Sequence, residues 1–167
     1  MTKPAGRSRY ADKARPARWI DVAADAATVH NLAREIMVAG HYAPRGEVTN
    51  GVAVYEHGTP TREFWFDVLG ADLILLLMRR PFGWGRIVVF TEPASAAPRE
   101  LAQTRVTISH TNGTYQAAGV RTLIADVIEA LSQRGILVAT SEPFSALDLP
   151  QNSPGQPYPN RTPNNAV

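Results

Sequence analysis

The sequence predicts an α+β fold, an antiparallel β-meander of four to five strands packed against an N-terminal and a C-terminal amphipathic helix. An extended basic arm precedes this body and an extended Pro/Asn-rich tail follows it. Three observations carry the prediction. Apolar residues recur at helical spacing near both ends of residues 19–142. Between them lie short runs of Val, Ile, Thr and aromatic residues, separated by Gly, Asn and Pro. Outside them, residues 1–18 and 143–167 show no hydrophobic period. The expected organisation is a flexible arm over 1–18, one α+β domain over 19–142, and an extended tail over 143–167.

The first helix is expected from about Asp21 or Asp25 to Gly40. Val22, Ala26, Val29, Ala33 and Ile36 recur with a period of three to four, an aspartate stands at the start and a glycine at the end. The middle of the chain reads as antiparallel strands over 51–57, 62–69, 86–92 and 104–110, with Gly58 to Thr61 as the turn between the first two. Asn50-Gly51 and Asn112-Gly113 are dipeptides favoured in type I′ turns. Residues 72–80 fit either a helix or a buried strand, and the flanking glycines and Pro81 favour the strand. The last helix has the clearest pattern: Val120, Leu123, Ile124, Val127, Ile128 and Leu131 line one face, with Arg121, Asp126, Glu129 and Gln133 on the other. Gly135 is placed to stop it, and residues 136–140 form a short apolar strand. Residues 143–167 contain six prolines, whose missing N–H groups suit extended chain; Phe144, Leu147 and Leu149 are the residues able to pin the start of this tail to the core.

Composition removes several function classes. The chain has no cysteine, which excludes disulfides, thiolate metal sites and a cysteine nucleophile. Its longest unbroken apolar run, residues 73–78, is far short of the roughly 20 residues of a membrane helix, and no signal peptide is readable, so a cytoplasmic or virion location is expected. The net charge of +2 is uneven. Lys3, Arg7, Arg9, Lys13, Arg15 and Arg18 face Asp12 alone in residues 1–18, so the arm is basic and the body mildly acidic.

No phosphate loop, dinucleotide fingerprint, paired-histidine metal motif or nucleophile elbow is present, and no metal or cofactor is expected. His57 and His110 are the candidates for catalysis, with Asp67 or Ser109 as conceivable partners, although surface and capping roles are commoner for such histidines. The most unusual stretch is residues 79–86, which holds Arg79, Arg80, Phe82, Trp84 and Arg86. Arginine forks grip phosphate or carboxylate and aromatic faces stack on bases, whereas a hairpin loop with its rings folded inward needs no ligand.

The resulting expectation is a non-catalytic assembly or interaction protein, of the kind that serves as a subunit of a viral or phage particle, whose arms extend over neighbouring subunits. Its partners would be other protein subunits in an oligomer or larger assembly. The alternatives are a nucleic-acid-binding protein using the basic arm and residues 79–86, and a small enzyme using His57 or His110.

Overall fold

The computed structural model describes residues 15–58, 84–94, 103–113 and 117–157. Among them the chain forms a seven-stranded antiparallel sheet and two α-helices: β1 Pro16–Val22, α1 Ala26–Ala39, β2 Ala43–Pro44, β3 Val52–His57, β4 Gly85–Pro93, β5 Thr104–Asn112, α2 Ala117–Gln133, β6 Leu137–Thr140 and β7 Phe144–Ser145. A short 3-10 turn, Ala146–Asp148, follows β7.

The strand order is β2-β3-β4-β5-β1-β6, with β7 pairing β1 beyond the end of β6. The sheet is therefore larger than the expected four to five strands, and the helices are internal elements. The difference originates in β1. Its Arg18 and Pro16 resemble the polar arm, and Asp21 resembles a helix cap, so this segment lacks the look of a strand. In the structure Ala17, Ile20, Asp21 and Val22 are buried, and β1 lies between β5 and β6. The body thus begins before residue 19, and Arg15 and Arg18 belong to it. Arg15 contributes its carbonyl to Ala146 N–H at 2.9 Å, and Arg18 Nε donates to the Ser141 carbonyl at 2.6 Å. Lys3, Arg7, Arg9 and Lys13 lie outside the described residues, as do the stretches 62–69 and 72–80.

The helix α1 is capped by Asp25, whose carboxylate accepts from Thr28 N–H at 2.7 Å. Its left-handed terminal residue is His41, at φ 68°, and Gly40 serves a different need. A β-carbon on Gly40 would collide with the Leu123 side chain of α2, so glycine lets the two helices meet. At the end of α2, Gly135 takes φ 69° while Ile136 N–H bonds the Leu131 carbonyl at 3.1 Å, a Schellman stop. Asn50 and Gly51 both have positive φ, 50° and 73°, and close a two-residue turn between Thr49 and Val52. Asn112-Gly113 does not make a hairpin, because β5 runs on toward α2 rather than into another strand.

Strand alternation divides the sheet into two faces. Ile20, Val22, Tyr55, Ile87, Val89, Val106 and Ile108 point to one face and form a single buried cluster with both helices. From α1 come Val29, Leu32, Ala33 and Met37, and from α2 come Val120, Leu123, Ile124, Val127 and Leu131. The opposite face carries three rows that cross the strands: Val88–Ser109–Ala17, Phe90–Thr107–Trp19 and Glu92–Arg105–Asp21. The segment after β7 lies over this second face.

Candidate functional site

The site is built on that second face. After pairing with β1, the chain turns at Ala146–Asp148, where Ser145 Oγ accepts from Leu147 N–H at 3.3 Å. Two further turns, Ser153 N–H to the Pro150 carbonyl at 2.8 Å and Gln156 N–H to the Ser153 carbonyl at 3.0 Å, hold residues 149–157 in shape. This strap lands on the first row. Ser109 Oγ, fully buried, donates to the Gly155 carbonyl at 2.7 Å. The fit leaves no space for a side chain: a β-carbon on Gly155 would stand 2.5 Å from Ser109 Oγ and 2.7 Å from Phe90 Cε1. Extended chain was expected over 143–167, yet residues 144–157 are folded against the sheet. Proline and glycine here shape turns and close approach.

Between the strap and the outer row lies a cleft of about 490 Å³. Its floor is the row Val52, Phe90, Thr107 and Trp19, one wall is Leu149, Asn152 and Pro154 of the strap, and the other is Glu92 and Arg105. Arg105 is held in place twice. Its Nε and Nη2 donate to the two carboxylate oxygens of Asp21 at 2.7 and 2.9 Å, and its guanidinium carbon lies 4.2 Å from the Trp19 ring centroid. The Asp21 hydrogen bond, opposed by partial burial, raises the Arg105 pKa above its ordinary value. The end of the cleft is formed by Asn50 at the β2–β3 side.

His30 supports that end from the other face. Its Nε2 lies 3.1 Å from the Gly51 carbonyl and 3.3 Å from Thr91 Oγ1, so Nε2 carries the proton and donates to the carbonyl. Its Nδ1 is buried with no hydrogen-bond partner. Burial holds the His30 pKa below the ordinary 6.5, partly offset by the bond to Gly51.

The residues singled out in the sequence fall elsewhere. Arg79, Arg80 and Phe82 lie outside the described residues. Trp84 immediately precedes β4, and its carbonyl packs against Gly113, where a β-carbon would clash. Arg86 stands 3.8 Å from Glu56, which also accepts from Arg45 Nε at 2.6 Å. Arg86 shares the second face with Val88 and Phe90, but neither it nor Trp84 lines the cleft. His57 Nδ1 pairs with the His41 carbonyl at 2.8 Å. His110 is fully buried on the helix face, in the row of Tyr55 and Ile87, while Ser109 points to the strap, so these two neighbours cannot act as a pair.

Among the described residues no group of three His, Asp or Glu side chains could hold a metal ion, and no helix is long and apolar enough to cross a membrane. The cleft was missed because its residues come from four strands and the strap, and none forms a local motif. The usable signal was the alternation of Trp19, Asp21 and of Phe90, Glu92, two strands with an aromatic and an acid on one face. The chain matches no family model, no curated protein and no solved structure.

Proposed function

We propose that this is a non-catalytic assembly protein whose C-terminal segment joins copies by exchange, each chain laying residues 144–157 on the sheet of its neighbour. Such a subunit would serve in a homo-oligomer or a larger particle, including a viral or phage one. The observation that supports the reading is the fit of the strap: a buried hydroxyl, a glycine without room for a β-carbon and a two-residue strand pair make the sheet a close complement to this turn-rich segment. An exchanged segment makes the same contacts on a neighbour as on its own body, so only the connection and the concentration decide between them. The connection is short and exposed at Glu142 and Pro143. Three described arginines also favour a protein partner over nucleic acid, since Arg45 and Arg86 face Glu56 and Arg105 is bound by Asp21.

The absence of cysteine allows a direct test. Ala17 and Phe144 are opposite partners on β1 and β7, at a separation where paired cysteines can oxidise. In the Ala17→Cys/Phe144→Cys double variant, oxidation at high protein concentration is expected to give covalent dimers and larger species on a non-reducing gel. Light scattering of the unmodified chain should show mass rising with concentration. A cross-link found only within single chains, together with a monomeric mass at every concentration, overturns the reading.

A further inference from the structure

The cleft beside the strap has its own chemistry, and it is present whether the strap comes from the same chain or from a neighbour. Three features restrict what can occupy it. The first is charge. Arg105 is the cation in the cleft, and Asp21 occupies two of its N–H groups. Glu92 stands directly across from Arg105 on the adjacent strand. Asp21, Arg105 and Glu92 together carry one net negative charge, so a phosphate or carboxylate ligand would meet repulsion.

The second feature is the floor. Trp19, Phe90 and Phe144 offer apolar surface, with Phe90 and Thr107 nearly buried. The accessible part is the half-buried Trp19, whose ring also meets the Arg105 guanidinium, and Phe144, and it suits a ligand with one apolar face. The third is the rim. Asn50 and Asn152 at opposite sides and Thr107 on the floor can each donate and accept hydrogen bonds, while Glu92 accepts and the remaining N–H groups of Arg105 donate. A matching ligand must therefore present groups around its edge that both donate and accept. The volume of about 490 Å³ lies within the roughly 300–1,000 Å³ of small-molecule sites.

We infer that the cleft binds a neutral carbohydrate, a single sugar ring or a short oligosaccharide. A pyranose has C–H groups on its ring face and hydroxyls around its edge, each hydroxyl both donor and acceptor, and it carries no charge. The C–H face would rest against Trp19 and Phe144, and the hydroxyls would meet Asn152, Thr107 and the Glu92–Arg105 wall.

The test is calorimetric titration of the full chain with a panel of uncharged mono-, di- and trisaccharides of gluco, galacto, manno and N-acetylated configuration. Sugar phosphates and free nucleosides form two further arms. At least one uncharged saccharide is expected to bind. Asn152→Ala and Thr107→Val should each weaken it about tenfold, the loss of one good hydrogen bond; the exposed Asn152 site should leave the melting temperature unaltered, and the melt of the buried Thr107→Val variant separates lost binding from lost stability. Failure of every uncharged saccharide overturns the inference. So does tighter binding of a sugar phosphate or a nucleoside, or binding that survives both substitutions. None of these results bears on strap exchange, which the cysteine cross-link reads separately.

Discussion

Gly155 and Ser109 are fitted so closely that a β-carbon on the glycine would stand 2.5 Å from the serine hydroxyl, the same hydroxyl that donates to the Gly155 carbonyl at 2.7 Å. Gly155→Ala should destabilise the chain by about 1–3 kcal/mol through overpacking against Ser109 and Phe90. Ser109→Ala leaves a buried carbonyl without its partner and should cost about 1–3 kcal/mol. Urea melts of both variants check this. An unchanged midpoint for Gly155→Ala would mean that the strap does not rest on the sheet.

The Asp21–Arg105 pair should couple strongly. Asp21 is 4% exposed and accepts two hydrogen bonds from one guanidinium, so Asp21→Ala leaves that charge without its partner. A loss of about 1.5–3 kcal/mol is expected, as for hydrogen bonds to charged groups. A double-mutant cycle with Arg105→Ala should show that the second substitution costs less once the first is present. Additive losses would refute the pairing.

His30 gives the stability a pH dependence of definite sign. Its folded pKa lies below the ordinary 6.5, because burial disfavours the imidazolium. The unfolded chain therefore takes up the proton first as pH falls. The His30 contribution is fully present above about 6.5 and is lost as pH falls below that value toward the lowered folded pKa. Chemical melts between pH 7.5 and 5 should show wild type losing stability more steeply than His30→Gln. Parallel profiles would contradict the burial of His30 beneath the Gly51 turn.

Two glycines with positive φ should respond differently to alanine. Gly135, at φ 69°, has nothing within 4 Å of a built β-carbon, so Gly135→Ala should cost only the left-handed backbone penalty of roughly 1–2 kcal/mol. Gly113, at φ 93°, would also drive its β-carbon into the Trp84 carbonyl, so its loss should be the larger. Thermal melts of the two variants rank them directly.

Local pattern accounts for much of the architecture. The spacing of Val120, Leu123, Ile124, Val127 and Leu131 is a property of the sequence alone, and these side chains are the buried face of α2. Asn50-Gly51 likewise specifies its turn, because few residue pairs accept two successive positive φ values. Such features are legible because each depends on residues within a few positions of one another.

What tertiary structure alone decided is how distant segments complete one another. Asp21 reads as a helix cap until Arg105, 84 positions away, is placed beside it. Pro16, Ala17 and Arg18 read as a basic arm until β5 pairs with Ala17 and Arg18 on one side of β1 and β7 with Pro16 and Ala17 on the other. Residues 149–157 read as free tail because their own apolar content is small. They are held instead by what the sheet supplies, above all the Ser109 hydroxyl and the Phe90 ring that meet Gly155. Sequence periodicity reports which face of a segment is apolar, and it carries no information about which remote backbone will satisfy its hydrogen bonds. The cleft arises only from that second kind of contact, so no stretch of this sequence contains it.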